Sequence, residues 1–209
     1  MIAVIDYGVG NLFSLLSCLQ TIGEEAIVTN DSELIHNADR IILPGVGAFE
    51  DAANKLRDSG MAEVIQKETE QGKPLLGICL GMQLLLESSE EYGFHKGLGL
   101  IKGVNRYIGD YIPSELKIPH MGWNSLIFED KKHPLFRYVK QGEYVYFVHS
   151  YAGYECKENT IATAEYGTII TAAVASKNVM GTQFHPEKSG ETGLRIMKAF
   201  CELNKEDLC

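Results

Sequence analysis

The 209-residue chain predicts an α/β fold, a mixed and mostly parallel sheet flanked by helices. Two observations carry that prediction. Over the first ninety residues, short apolar runs alternate with segments whose apolar residues recur at helical spacing. That is the pattern of parallel strands covered on both faces. After Gly93 the alternation gives way to strand-favouring segments separated by turns, which predicts an antiparallel or mixed extension of the first sheet.

The elements follow in order. Ile2–Ile5 is an apolar run that stops at Asp6 and a glycine turn. Asn11–Ile22 carries Leu12, Leu15, Leu16 and Leu19 on one helical face, with Gly23 as the stop. Ala26–Thr29 and Arg40–Leu43 read as strands, the latter running into Pro44-Gly45-Val46-Gly47. Ala48–Arg57 and Met61–Gln71 read as helices, Pro74–Ile78 as a strand and Leu80–Glu90 as a helix. Beyond Gly93, strands are expected at Gly99–Ile108, Trp123–Phe128, Tyr144–His149, Thr160–Glu165, Ile169–Ala175 and Val179–Phe184. A last helix spans about Glu191–Leu203. No Ser/Gly/Pro-rich linker divides the halves and no repeat appears, so residues 1–209 are expected to form one domain.

Bulk properties exclude several function classes. The net charge of -9 and the lack of a Lys/Arg run argue against a nucleic-acid partner. Lys131-Lys132 reads as a solvated loop. The longest apolar run, Leu75 to Leu86, is too short for a bilayer and no membrane role is expected. The N-terminus lacks a basic region before its apolar run and reads as a first strand, not a signal peptide. Five widely spaced cysteines without a C-x-x-C suit a reducing compartment, so the expected location is cytoplasmic. Nothing clusters at metal-ligand spacing, and no metal or cofactor is expected.

Three short segments carry chemistry. In Leu75–Gln83 an apolar run ends at Cys79 between Gly77 and Gly81, and an amphipathic segment begins at once. This is the order strand, sharp turn, helix, with a thiol at the apex. There the helix N-terminus favours a thiolate, and the glycines allow close backbone approach. Read alone, the segment fits a buried core cysteine about as well. In His185-Pro186-Glu187, extended geometry lets imidazole and carboxylate lie together, and the carboxylate fixes the tautomer. In isolation a surface turn explains it too. Cys79 and His185 both follow strands that a parallel sheet opens at one edge, so the fold can bring them into a Cys–His–Glu set. Pro44–Gly47, after another strand, could present amides to an oxyanion together with that of Leu80, or be a simple tight turn.

Other signals are weaker. Gly8-Val9-Gly10 begins a dinucleotide fingerprint, but Phe13 occupies the place of its third glycine. His36, His95 and His133 read as surface residues, and core or loop hydrogen bonding explains His120 and His149.

The combination Gly77-Ile-Cys79-Leu-Gly81-Met-Gln83 with His185-Pro-Glu187 resembles the class I (triad) glutamine amidotransferases. The opening Ile5-Asp-Tyr-Gly-Val-Gly-Asn-Leu12, the Pro44–Gly47 turn, Pro119-His-Met-Gly-Trp-Asn124 and Tyr146-Phe-Val-His-Ser-Tyr151 narrow the likeness to the histidine-biosynthetic branch of that family. The resemblance covers essentially the whole chain. It implies a flavodoxin-like three-layer fold. It implies Cys79 as nucleophile on glutamine, His185 as base and acid, and Glu187 as its orienting partner. It implies an oxyanion hole from the Val46 and Leu80 amides, with the Pro44–Gly47 turn reorienting before the Val46 amide faces the site. Gly47, Gln83, Ser150 and Tyr151 would hold glutamine, the last two largely through backbone.

The resemblance also implies a partner, a (β/α)8 cyclase subunit docked over the glutaminase to receive ammonia. Asn11, His120, Met121, Trp123 and Lys188 match the family's docking edge. The alternative for Trp123 is a core aromatic. One departure stands out: Phe13 replaces the Arg usual in Gly-Asn-Leu-Arg-Ser. Paralogues that supply ammonia for amidino groups on surface sugars share the same frame, so the acceptor stays open. A partner-independent cysteine hydrolase is the other alternative, against which the His-x-Glu placement and Gln83 argue.

Overall fold

The computed structural model describes residues 1–128 and 132–208. Its main sheet is built from β1 (Ile2–Ile5), β2 (Ala26–Thr29), β3 (Arg40–Gly45), β4 (Leu75–Cys79), β11 (Thr160–Glu165), β12 (Ile169–Ser176) and β13 (Val179–Thr182). Their order is β11-β12-β13-β4-β3-β1-β2. The strands from β13 to β2 are mutually parallel, and β12 and β11 add an antiparallel edge. Helices α1 (Leu12–Thr21) and α6 (Gly190–Glu202) cover one face. Helices α2 (Ser32–Asn37), α3 (Phe49–Asp58), α4 (Met61–Glu70) and α5 (Leu80–Leu85) cover the other.

The alternation of side chains sorts the core. From β1, Ile2 and Val4 join Leu15, Leu19, Met197 and Phe200 on one side. Ala3 and Ile5 join Phe49, Leu56 and Ile65 on the other. Strands buried on both faces need a continuous apolar run, and β1 and β4 are buried throughout.

Two expectations are corrected. The helix predicted over Leu80–Glu90 ends at Leu85, and Leu86–Ser89 becomes strand β5. The amides of Leu98, Leu100 and Gly99 donate to the carbonyls of Leu84, Leu85 and Leu86, so the end of α5 is satisfied from outside and the helix stops there. The second half is not one extension of the main sheet. β5 pairs with β6 (His95–Lys96) and β7 (Ile101–Tyr107), and β7 with β10 (Tyr151–Tyr154), forming a separate sheet ordered β10-β7-β5-β6. A two-stranded ribbon joins β8 (His120–Ser125) to β9 (Tyr144–His149). The strand expected at Trp123–Phe128 thus begins three residues earlier, because His120 pairs with His149.

Helix α2 had no periodic signal; Asp31 makes it, accepting from the amides of Glu33 and Leu34. His36 is exposed, as expected. His95 and His133 are half-buried instead, and His133 accepts from the Leu135 amide at 3.1 Å. Burial pushes the His133 imidazole below its ordinary value, with Asp207 opposing. The loop expected at Lys131-Lys132 lies partly outside the described residues; Lys132 donates to the Val139 carbonyl at 3.0 Å. No helix among the described residues is long and apolar enough to cross a membrane.

Candidate active site

The carboxyl ends of β3, β4 and β13 open on one cleft of about 330 Å³. Cys79 stands at the end of β4 with φ 55° and ψ -111°, a backbone state that a non-glycine residue rarely adopts. The elbow around it is tight. A Cβ at Gly81 would lie 1.9 Å from the Leu43 carbonyl oxygen, and one at Gly77 would lie 2.7 Å from the Gly81 backbone. Only glycine lets α5 start this close to β3 and β4.

The turn after β3 is placed by register. Gly45 pairs with Cys79, so Val46 and Gly47 follow it beside Cys79 and line the cleft with Leu80. Gly47 has φ 96°. Tyr7 Oη donates to the Pro44 carbonyl at 2.7 Å, which ties the Asp6–Asn11 loop to the base of the turn.

β13 delivers the imidazole. Thr182 pairs with Ile78, so the segments after both strands leave the sheet together. The His185 amide donates to the Tyr146 carbonyl at 2.9 Å. The buried Ser189 hydroxyl accepts from the Tyr146 amide at 2.9 Å and donates to the His185 carbonyl at 2.6 Å, fastening the turn to β9. His185 Nδ1 meets Glu187 Oε1 at 2.7 Å, and both side chains are buried. Burial opposes the imidazolium, but the Cys79 sulfur and the Glu187 carboxylate outweigh it and raise His185 to about 9.

A second network lies beside the sulfur. Gln183, fully buried, directs Nε2 toward Cys79 Sγ at 3.9 Å and accepts on Oε1 from Gln83 Nε2 at 3.0 Å. Gln83 Nε2 also donates to the Tyr151 carbonyl at 3.0 Å. Both hydrogens of the Gln83 amide are thereby used, and its Oε1 is what it can offer a ligand.

The structure gathers Val46, Gly47, Cys79, Leu80, Gln83, Ser150, Tyr151 and His185 around the cleft, with Glu187 behind His185. Of the docking residues, Met121 is 60% and Trp123 55% exposed, so Trp123 is not a core aromatic. Lys188 is exposed at the rim, and Asn11 caps α1. His120 is corrected: at 3% exposure it is not a docking residue but a buried ring stacked between Phe147 and Tyr166.

Sequence reasoning missed Glu91. It lines the cleft, and its Oε2 accepts from the Phe49 amide at the start of α3 at 2.7 Å. Its place in an acidic run, Glu87 to Glu91, hid it. Among the described residues no group of three His, Cys, Asp or Glu side chains could hold a metal.

Three comparisons bear on this arrangement. The family described as glutamine amidotransferase class-I matches residues 3–203. A protein of Oceanobacillus iheyensis named imidazole glycerol phosphate synthase subunit HisH is 50% identical over 204 residues, 97% of this chain and 99% of its own. The subunit so named in Caldanaerobacter subterraneus is 51% identical over 207 residues, 98% of this chain and 99% of its own. In Methanosarcina acetivorans the subunit of that name is 50% identical over 97% of this chain and 98% of its own. Among solved structures, a glutamine amidotransferase superposes with a TM-score of 0.74 at 18% identity, covering 97% of this chain and 98% of its own. PurLQS from Thermotoga maritima gives 0.73 at 24% identity, covering 96% of each. These two likenesses show the fold.

Proposed function

This chain belongs to the class I glutamine amidotransferases, and we propose that it is the glutaminase subunit of an imidazole glycerol phosphate synthase. In this reading it is one domain over residues 1–209, cytoplasmic, and serves a separate cyclase subunit of (β/α)8 fold. The observation that carries the chemistry is the convergence of Cys79 with His185, backed by Glu187, in a cleft that Val46 and Leu80 also line. The identity of about 50% over nearly full length to subunits of that synthase favours it over the surface-sugar paralogue. Phe13 is 84% exposed at the start of α1, so its departure from the family pattern sits on a surface and leaves the cleft unchanged.

The reaction uses these groups in turn. His185 takes the Cys79 thiol proton, and the sulfur attacks the carboxamide carbon of glutamine; the new C–S bond pushes charge onto oxygen. The Val46 and Leu80 amides receive that oxyanion. The intermediate collapses as the C–N bond breaks, and His185 gives its proton to the departing nitrogen. Ammonia leaves a glutamyl thioester. His185, now neutral, takes a proton from water, which attacks the same carbon; sulfur departs and glutamate is released.

Substrate recognition follows from charge. Glutamine carries an α-ammonium group, which suits the Glu91 carboxylate and the Gln83 Oε1 acceptor on the cleft wall. The Ser150 and Tyr151 backbone holds the other end. Ammonia released into water would be protonated and lost, which is why an acceptor subunit must cover the cleft. The exposed Met121, Trp123 and Lys188 suit such a contact.

The test is a glutaminase assay with and without the cyclase and its nucleotide ligand. Expected is slow glutamate release alone and strong stimulation by the complex, both abolished by Cys79→Ala. Glutamate release at the wild-type rate from Cys79→Ala would overturn the reading.

A further inference from the structure

His149 lines the cleft, is buried, and has no part in the chemistry above. Its hydrogen bonds can be followed proton by proton. Its Nδ1 faces the Tyr151 carbonyl at 2.9 Å. A carbonyl oxygen only accepts, so Nδ1 carries the hydrogen. Its Nε2 lies 2.9 Å from His120 Nδ1. In a neutral ring Nε2 then accepts, which makes His120 Nδ1 the donor and leaves His120 Nε2 as an acceptor. The Asn124 amide nitrogen meets that Nε2 at 3.2 Å and gives its other hydrogen to the Glu165 carbonyl at 2.8 Å. The assignment closes from both ends. Every donor points the same way, from Asn124 through His120 and His149 to the Tyr151 carbonyl.

That carbonyl is the junction with the glutamine site. Tyr151 pairs with Tyr107, while the Ile108 amide bonds the Ser150 carbonyl. The 151–107 pair is therefore the non-hydrogen-bonded kind, and the Tyr151 peptide groups turn away from β7. Its oxygen receives two donors, His149 Nδ1 at 2.9 Å and Gln83 Nε2 at 3.0 Å. Both lone pairs are taken, so a ligand can use only the Tyr151 N–H. His149 has spent both ring nitrogens and can neither bind glutamine nor take a proton from it.

We infer that His149 is a positioning residue for glutamine: paired with His120, it fixes the Tyr151 carbonyl and through it the Tyr151 N–H and the Gln83 amide that face the substrate. The inference rests on the glutaminase reading. Removing the ring's donor frees one side of the Tyr151 peptide and deprives Gln83 of a fixed acceptor. Glutamine binding loosens, while the Cys79–His185–Glu187 set, which His149 does not bond, stays in place.

Glutaminase kinetics of the full chain with the cyclase subunit present test this in His149→Phe and His149→Asn. Phe keeps a ring but has no donor. Asn places its amide nitrogen the same number of bonds from Cα as Nδ1 and can still reach the carbonyl. Expected is a KM for glutamine raised about 10-fold or more by Phe and restored to within about threefold by Asn, with the pH profile of kcat unmoved. A structural role alone would lower the active fraction and leave KM where it was. Wild-type KM in His149→Phe, or an equal rise in both variants, overturns the inference. A tautomer measurement by ring-nitrogen NMR on the wild-type protein needs no variant to fold. It should find both His120 and His149 neutral with hydrogen on Nδ1, and a His149 protonated on Nε2 instead overturns it. If the wild-type complex releases no glutamate from glutamine, the function itself has failed and the inference falls with it.

Discussion

Gly45 at the end of β3 stands opposite Cys79 at the end of β4. One pairing in a parallel ladder thereby sets Cys79 and the Pro44–Gly47 turn, the proposed nucleophile and oxyanion donor, side by side. Neither needs the other's sequence to find it. The register, fixed by Ile41, Ile42 and Leu43 against Leu75, Leu76 and Gly77, does the placing.

The packing of this elbow predicts a severe cost for one methyl group. Gly81→Ala would set a Cβ 1.9 Å from the Leu43 oxygen, a backbone atom that cannot rotate aside. A loss of about 3 kcal/mol or more is expected, roughly 10 °C in thermal midpoint for a chain of this size. Gly99→Ala, whose Cβ meets nothing within 4 Å, should cost only about 1 kcal/mol for its positive φ. Equal midpoints for the two variants would contradict this account.

The Cys79 sulfur and the Glu187 carboxylate, which together raise His185, are expected to set the alkaline limit of activity. His185, raised to about 9, donates a proton to the leaving nitrogen, so kcat should fall as pH rises past that value. Glu187→Gln removes a charge that favours the imidazolium. The limb should move down toward the ordinary histidine range, with kcat lower by about 10³–10⁴. A pH–rate profile of the variant that keeps its alkaline limb in place would refute the assignment.

Opposite shifts in the buried histidines give stability a maximum. Burial lowers His120 to about 4, and burial with the neighbouring His120 lowers His149 to about 3. Below pH 6.5 the unfolded chain binds protons these rings refuse, so stability falls with pH toward 4. His185 works the other way: its contribution is complete below 6.5 and lost as pH rises through about 9. From these three groups the thermal midpoint should peak near pH 6.5. His149→Phe should flatten the acid side and leave the alkaline side alone.

Glu91 is expected to act on binding. Glu91→Gln keeps an oxygen for the Phe49 amide but loses the charge for an α-ammonium group. KM for glutamine should rise about 10- to 100-fold, with a smaller change in kcat. Glutamine saturation curves that superpose with wild type would exclude the contact.

Trp123 separates docking from folding. It is 55% exposed and touches Tyr146 edge-on, at 6.1 Å between rings. Trp123→Ala should weaken cyclase binding by about 30-fold, as a central aromatic does at an interface. The thermal midpoint of the free chain should barely move. Calorimetric titration of the two subunits decides it.

What the sequence disclosed, and what it withheld, has a physical boundary. Cys79, His185 and Glu187 were legible because elbow glycines and an i, i+2 pair are local patterns. The parallel sheet was legible because buried strands are continuously apolar. Leu86–Ser89 was not, since tertiary bonds to Leu98–Leu100 stop α5 and no local residue does. Nor were the neighbours of His120, for which the sequence offered both a core and a docking place. Its partners, Phe147 and His149 on β9 and Tyr166 beyond β11, come from distant segments that only the ribbon and its neighbouring strand bring together.

The turn from Pro44 to Gly47 is held at both ends. Tyr7 grips the Pro44 carbonyl, the sheet grips Gly45, and Glu91 grips the amide of Phe49. Val46 and Gly47 lie between these holds like a crank between two bearings. A peptide there can swing its N–H toward or away from the sulfur by dihedral changes alone, with the shaft on either side at rest. One bearing, Glu91, also lines the cleft and is the carboxylate proposed for the substrate's amino group, so a ligand that pulls on it would load the crank.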